Sequence, residues 1–233
     1  MSLRLAIPSK GRLQSQCIDW FAARGLTITR PGNAREYAGR IEGVDGVELQ
    51  LLPASEIVRE LAAGRVHLGV TGQDLVREAL PDWNAVLQER AGLGFGRADL
   101  VLAVPAIWID VLSVEDLDEV AAAFRQAHAA PLRVATKYRR LVHSFLRRHG
   151  VADYRIVESH GATEGTVKNR SAELIADITS TGETLRANHL KTLQDGLILA
   201  SQAALFSPRS VPEPERPALD ALCARLGLAA FTG

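Results

Sequence analysis

Apolar and polar positions alternate along the chain with two different periods. Short apolar runs of strand length are separated by longer segments in which apolar residues recur with helical spacing. The predicted strands cover 3–7, 47–52, 66–70, 100–104, 132–135, 154–158 and 173–178. The predicted helices cover 12–24, 55–63, 74–79, 115–129, 139–149 and 184–193. Strands that alternate with helices in this way indicate an α/β fold with parallel-rich sheets covered by helices.

Two places in this pattern predict a change of domain. The glycine-rich stretch 92–96 lacks GxGxxG spacing and opens no helix, so it indicates a crossover between two lobes rather than a dinucleotide site. A second crossover is expected near residue 182. The expected domains are lobe 1 (1–90 plus 183–206), lobe 2 (91–182), and a C-terminal segment (207–233) made of a Pro-rich linker and a short helix. That helix, from Ala218 to Leu228, would pack on the body or dock on a partner.

Composition narrows the functional classes. The 27 Lys and Arg residues balance the 27 Asp and Glu residues, which argues against a nucleic-acid-binding protein. Cys17 and Cys223 form no CxxC motif, as in proteins of a reducing cytoplasm. No signal peptide precedes the first strand and no apolar run is long enough to span a membrane, so a cytoplasmic protein without membrane contact is expected. The six histidines show no metal-ligand spacing, so no protein-built metal site is expected.

The segment from Asp177 to Leu185, DITSTGETL, carries the strongest chemical signal. It is a hydroxyl-rich turn between a predicted strand and a predicted helix, and such turns bind phosphate through backbone N–H groups and hydroxyls. Asp177 at its mouth is suited to a sugar diol, so the turn predicts a ribose-5-phosphate site. The alternative is a capping box of Ser180 and Glu183 that starts a helix and binds nothing. The additional threonines favour the ligand, because capping needs one hydroxyl.

Four other turns follow predicted strands: 8–12 (PSKGR), 71–74 (TGQD), 136–138 (TKY) and the loop 160–166 (HGATEGT). Each also fits an ordinary cap, surface turn or connection. Their shared position at the carboxyl ends of parallel strands favours one cleft for an anionic ligand, fed by both lobes.

In this order, the motifs resemble those of the ATP phosphoribosyltransferase family. The matching pieces are AIPSKGRL (6–13), LGVTGQD (68–74), GFG (94–96), ATKY (135–138), GATE (161–164) and DITSTGETL (177–185). The resemblance implies a two-lobed fold like that of periplasmic binding proteins, with an interlobe active-site cleft. It implies transfer of the phosphoribosyl group of 5-phosphoribosyl 1-pyrophosphate (PRPP) to adenine N1 of ATP with release of pyrophosphate, the first step of histidine biosynthesis.

The resemblance also implies cofactors and partners. Mg²⁺ would be bound through the substrate. The length fits the short form, which lacks a C-terminal regulatory domain and works with a regulatory subunit similar to histidyl-tRNA synthetase. A homodimer within a hetero-oligomer is expected. A solute- or nucleotide-binding module of the same fold, or a phosphoribosyltransferase with another base, are the alternatives.

The same resemblance assigns roles to residues. The residues expected to offset pyrophosphate and triphosphate charge are Lys10, Arg12 and Arg35. Those expected to bind PRPP are Asp177, Thr179, Ser180, Thr181, Gly182, Glu183 and Thr184. Those expected to face ATP or the cleft are Gly11, Thr71, Gly72, Asp74, Lys137, Tyr138 and Glu164. The chain departs from the family pattern at Pro53, where many members have an arginine.

Overall fold

The computed structural model describes residues 2–29, 38–44, 46–159 and 162–230. It divides into two compact units, one made of Met1–Arg97 with Gln202–Gly233 and the other of Ala98–Ser201. Each unit contains its own sheet with helices packed against it, so the expected α/β class is confirmed. Within the described residues, no helix combines the length and the apolar character needed to cross a membrane.

The predicted strands all form, within about two residues of the expected bounds. The strands are β1 (Leu3–Pro8), β2 (Ile28–Thr29), β3 (Ala38–Ile41), β4 (Val47–Leu52), β5 (Leu68–Gly72), β6 (Leu87–Gly92), β7 (Asp99–Pro105), β8 (Leu132–Thr136), β9 (Tyr154–Glu158), β10 (Leu174–Thr179), β11 (Leu190–Leu199) and β12 (Ala203–Pro208). The helices are α1 (Gly11–Ala22), α2 (Ala54–Ala62), α3 (Gln73–Ala79), α4 (Trp83–Val86), α5 (Val114–His128), α6 (Arg139–Arg148), α7 (Gly165–Lys168), α8 (Glu183–Ala187) and α9 (Arg216–Arg225).

The sheet of the first unit has the strand order β2-β3-β4-β1-β5-β12-β6. Strands β4, β1 and β5 are parallel, so their carboxyl ends share one edge. Two hydrogen bonds tie that edge together: the Ser9 N–H donates to the Leu52 carbonyl (2.9 Å), and the Thr71 hydroxyl donates to the Ala54 carbonyl (2.8 Å). The turns after β1, β4 and β5 are therefore neighbours.

The sheet of the second unit has the order β11-β7-β10-β8-β9, with β10, β8 and β9 parallel and β7 antiparallel to both of its neighbours. Ala176 of β10 lies opposite Thr136 of β8. The next residues, Asp177 within β10 and Lys137 just after β8, therefore lie at the same end of the sheet. The structure thus brings two of the predicted site segments to one end of this sheet.

The predicted helix 184–193 is wrong beyond its first turn. Helix α8 ends at Ala187, and Leu190–Leu199 is strand β11. The register of β11 against β7 shifts after Thr192, so this strand does not keep the two-residue period of a regular strand. Its buried positions, Leu190, Leu193 and Gly196, recur every third residue and therefore imitate helical spacing.

The domain boundaries also differ from the expected ones. Because β11 pairs with β7, residues 183–201 belong to the second unit, and the chain returns to the first unit at Gln202 rather than near residue 183. The segment 207–233, expected to be a linker and a short helix, completes the first unit. Five of its described side chains are buried in that core: Val211, Leu219, Leu222, Cys223 and Leu226. Helix α9 thus packs on the body, one of the two expected outcomes.

Candidate active site

The turn after β10 takes its shape from one glycine and one threonine. Gly182 has a φ of +71°, in the left-handed region that glycine occupies at little cost. Its N–H donates to the Thr179 hydroxyl at 2.9 Å, and its carbonyl accepts from the Arg186 N–H at 3.0 Å. The Thr179 side chain therefore closes the turn, which leads directly into α8.

The capping box considered for this turn is wrong. The N-cap position of α8 is Gly182, without a side-chain cap, and Glu183 is the first helical residue. Ser180 lies two residues before the N-cap, so it cannot pair with Glu183 as a capping box requires. The Ser180 and Glu183 side chains, both exposed, therefore do not cap this helix.

A cavity of about 230 Å³ lies beside this turn, within the second unit. Its lining residues are Glu164, Asp177, Ile178, Thr179, Ser180, Thr181, Glu183, Thr184 and Leu185. The structure thus brings together six of the seven residues predicted to bind PRPP, and adds Glu164 from the loop before α7. Gly182, the seventh, shapes the turn without lining the cavity. The cavity is smaller than the roughly 300–1,000 Å³ of drug-sized sites.

Asp177 lies at the strand end of this cavity. Its Oδ1 accepts a hydrogen bond from the Ile178 N–H at 2.8 Å, which fixes the carboxylate at the start of the turn. A carboxylate has two oxygens with several acceptor positions, so this bond leaves capacity for a donor from a ligand. On the other side, Leu185 is buried in the apolar core of the unit and anchors the turn.

The basic turn after β1 belongs to the first unit. Lys10 and Arg12 are exposed, and neither forms an ion pair with any of the described residues. Gly11 between them has a φ of +76°, and a Cβ built there would meet no atom within 4 Å. Open space on a left-handed glycine lets another molecule approach the backbone closely. Arg35 lies outside the described residues.

The turn after β5 is more closed than the sequence suggests. Thr71 is fully buried, and its hydroxyl is the donor to the Ala54 carbonyl described above. Asp74 is also buried, and its Oδ1 lies 2.2 Å from the position that a Cβ on Gly72 would occupy. Gly72 is therefore required for the carboxylate to fold over the backbone. In this structure, Thr71 ties neighbouring turns of the sheet edge together, and Asp74 folds over Gly72.

Lys137 and Tyr138 follow β8 but have different surroundings. Lys137 is exposed, whereas Tyr138 is buried and its N–H donates to the Thr136 hydroxyl at 2.9 Å. The aromatic face expected at this strand end is thus packed inside the unit. Burial of an aromatic ring stabilises the fold, so the sequence signal at Tyr138 reflects packing at the strand end.

The cavity beside the turn is acidic. Glu164, Asp177 and Glu183 line it, while none of its described lining residues is a lysine or arginine. Among the described residues, no three His, Cys, Asp or Glu side chains group closely enough to hold a metal ion. The motif also stops one residue short of Arg186, whose side chain lies against Gly182. No signal in the sequence marks Arg186, because it falls outside the hydroxyl-rich segment.

Comparison with known proteins identifies the family. The family model "HisG: ATP phosphoribosyltransferase" matches residues 53–227. An ATP phosphoribosyltransferase of Cereibacter sphaeroides is 62% identical over 229 residues, which cover 98% of this chain and 97% of that protein. The chain belongs to the ATP phosphoribosyltransferase family. A second family member, from Chelativorans sp. (strain BNC1), is 54% identical over 95% of both chains.

Solved structures support the same fold. The ATP phosphoribosyltransferase of the Thermotoga maritima HisG:HisZ complex has a TM-score of 0.71 at 21% identity and covers 97% of this chain and 96% of its own. The periplasmic sulfonate-binding protein SsuA of Methylobacillus flagellatus KT has a TM-score of 0.55 at 12% identity, and the match covers 97% of this chain and 67% of that one. The expected likeness to periplasmic binding proteins is confirmed at the level of fold.

Membership of the ATP phosphoribosyltransferase family confirms the expected activity. The chain is a pentosyltransferase of the first step of histidine biosynthesis. The two alternatives, a binding module without catalysis and a transferase for another base, are not favoured by these relatives.

Proposed function

We propose that the cavity beside the 177–185 turn binds the phosphoribosyl part of PRPP. The observation that carries this proposal is the convergence of hydroxyls on one cavity: Thr179, Ser180, Thr181 and Thr184 all line it. Hydroxyls and backbone N–H groups at a strand-to-helix turn are the donors that a phosphate monoester needs. The hydroxyl-lined turn thus receives the 5-phosphate.

The ribose diol is assigned to Asp177. Its carboxylate stands at the strand end of the cavity, already oriented by the Ile178 N–H, and carboxylate oxygens accept hydrogen bonds from hydroxyls. Glu164 and Glu183, the other acids of the cavity, are available to further sugar hydroxyls or to the Mg²⁺ that accompanies the pyrophosphate of the substrate. Mg²⁺ is commonly bound through substrate phosphates and one or two carboxylates, rather than by a complete protein cage.

Adenine N1 is itself the nucleophile of the reaction, so the chain need not supply one. Its lone pair forms the new bond to the anomeric carbon, while the bond from that carbon to pyrophosphate breaks and its electron pair leaves with the pyrophosphate oxygen. The protein's tasks are to position the two substrates and to stabilise the charge on the leaving group.

The basic residues are assigned to these phosphates. We propose that Lys10 and Arg12, with the open backbone of Gly11, offset pyrophosphate and triphosphate charge, as does Arg35. Lys137 is assigned to ATP, because it is exposed beside the end of β8. For Gly72, Thr71, Asp74 and Tyr138 we propose an indirect role: they fix the strand ends from which the ligand-binding turns depart.

Assembly and location are proposed on separate grounds. The Thermotoga maritima relative belongs to a HisG:HisZ complex. We propose that this chain also works in a hetero-oligomer, that its partner is a regulatory subunit similar to histidyl-tRNA synthetase, and that it forms a homodimer within that assembly. A cytoplasmic location is supported by two free cysteines, Cys17 and Cys223, both buried. Burial raises the pKa of the Cys17 thiol to about 12, so this thiol stays protonated and unreactive.

The test removes the carboxylate of Asp177. In an assay that follows pyrophosphate release from ATP and PRPP, with and without the regulatory subunit, Asp177→Ala should raise the KM for PRPP by about tenfold or more, because charge-assisted hydrogen bonds to the diol are lost. The KM for ATP should change little. Asp110→Ala, at an exposed aspartate of the same unit, is the matched control. Near-normal KM for PRPP in a folded Asp177→Ala variant would remove this assignment.

A further inference from the structure

The proposed phosphate site has an unbalanced charge. Three acidic side chains, Glu164, Asp177 and Glu183, line the cavity, and no lysine or arginine is among its described lining residues. A phosphate monoester brings further negative charge to the same place. Because like charges repel, a cation close to the hydroxyl-lined turn would favour binding of the phosphate beside these acids.

Arg186 is the basic residue that the structure places against the turn. A Cβ built on Gly182 would lie 2.9 Å from its Nη1 and 3.8 Å from its Cζ, so the guanidinium folds back over the glycine. This return is possible because residues four apart on a helix share a face, and the Arg186 N–H is bonded to the Gly182 carbonyl. The guanidinium thus sits over the one residue of the turn that does not line the cavity.

This guanidinium has no other charge partner in the described part of the chain. The described salt bridges involve other residues, and its side chain makes no hydrogen bond with any described residue. Arg186 is also exposed, so its long side chain can turn from Gly182 toward the cavity mouth. An arginine held near a phosphate site without a protein carboxylate is suited to bidentate binding of phosphate oxygens.

We infer that Arg186 is a substrate-binding residue whose guanidinium is the charge partner of the 5-phosphate of PRPP. This inference rests on the function proposed for the cavity. It adds a residue outside the hydroxyl-rich motif and gives the phosphate site its missing positive charge. It also assigns the charge to the phosphoribosyl end of the substrate, not to the pyrophosphate end.

The experiment compares two ligands, each of which represents a different part of PRPP. Binding of ribose 5-phosphate and of Mg²⁺-pyrophosphate is measured by calorimetry for the whole chain, for Arg186→Met, which keeps the bulk, and for Arg186→Lys, which keeps the charge. We expect Arg186→Met to weaken the binding of ribose 5-phosphate about tenfold or more, because one charge-assisted contact is lost. The affinity for Mg²⁺-pyrophosphate should stay within about twofold of that of the unmodified protein. Arg186→Lys should restore part of the affinity, and weakening by added salt should be smaller in Arg186→Met than in the unmodified protein.

Arg155→Met is the matched control, since Arg155 is exposed on β9 of the same unit. An equal loss of affinity for ribose 5-phosphate in Arg186→Met and Arg155→Met would show a general effect of net charge and would overturn the inference. Loss of pyrophosphate binding alone would place Arg186 at the other end of the substrate and overturn it as well. If Asp177→Ala weakens ribose 5-phosphate while Arg186→Met does not, only this inference fails. If neither does, the proposed site itself fails.

Discussion

One backbone angle at Gly182 controls the turn that we assign to the 5-phosphate. A non-glycine residue in this left-handed conformation costs about 1–2 kcal/mol. The new Cβ of Gly182→Ala would also displace the Arg186 guanidinium, although that flexible end can move. We therefore expect Gly182→Ala to raise the KM for PRPP about fivefold or more, since about 1 kcal/mol corresponds to that factor. Steady-state kinetics at saturating ATP measure it.

Gly165→Ala is the control for Gly182→Ala. A Cβ at Gly165 meets no atom within 4 Å, and its φ lies outside the left-handed region. Alanine is also favoured over glycine at a helical position. The KM of Gly165→Ala for PRPP should stay within about twofold of the value for the unmodified protein, which corresponds to a change in binding free energy of less than about 0.4 kcal/mol. A KM for PRPP that rises equally in both variants would contradict a special role for the Gly182 conformation.

For single residues, the sequence predicts the features that depend only on the order of neighbouring elements along the chain. The hydroxyls at the end of β10 and in the turn that follows line one cavity, because strand, turn and helix follow one another within a few residues. The burial of Thr71 and Tyr138 was not predictable, because it depends on contacts with elements distant in the chain, such as the bond from Thr71 to Ala54. Arg186 was missed because its relation to Gly182 requires the three-dimensional turn.

Among the elements, the seven predicted strands all form, but the pattern does not predict β2, β3, β6 or β12, although β12 is buried along its whole length between β5 and β6. Strand β6 was missed: it is an edge strand, and it contains Gln88, Glu89 and Arg90. Such polar residues are tolerated because one side of an edge strand is not paired within the sheet. The pattern predicts a helix where strand β11 lies, because the irregular register of this strand changes its burial period. Both errors arise from sheet pairing, which a local pattern does not contain.

Helix α9 provides a test at the scale of elements. Leu222 is fully buried in the core of the first unit, so Leu222→Ala should lower the free energy of unfolding by about 2–5 kcal/mol through lost apolar contact and a residual cavity. Denaturant unfolding followed by circular dichroism measures it. Ala221→Ser, at an exposed position of the same helix, should change stability by less than about 0.5 kcal/mol. Unchanged stability in Leu222→Ala would mean that the C-terminal segment is not part of this core.

For the whole molecule, the return of the chain to the first unit was the least predictable feature. The first crossing, after the glycines of 92–96, was visible as a break in the pattern and falls beside the observed division at Arg97. The second falls at Ser201–Gln202, because β11 pairs with β7 and β12 with β5 and β6. Strand partners far apart in sequence decide it, so no local signal marks it.

The stability of the molecule should depend on pH through His67. This histidine is almost fully buried, with Nδ1 accepting from the Arg4 N–H at 3.2 Å and Nε2 3.3 Å from Arg4 Nη2. Burial, and then the charge of Arg4, lower the pKa of His67, while the charge of Glu215 opposes them. The folded state therefore favours the neutral ring. The contribution of His67 to stability is complete above its unfolded pKa of about 6.5 and is lost as the pH falls toward the folded pKa.

The free energy of unfolding, measured in denaturant from about pH 8 to about pH 5, should therefore fall with acidification. In the His67→Gln variant this free energy should fall less steeply, because the variant has no imidazole ring to protonate at this position. His128→Gln, at an exposed histidine that ends α5, should keep the slope of the unmodified protein. Parallel curves for His67→Gln and the unmodified protein would show that acid instability arises elsewhere. A shallower curve for His67→Gln alone would mean that the buried contact between Arg4 of β1 and His67 makes the first unit sensitive to acid.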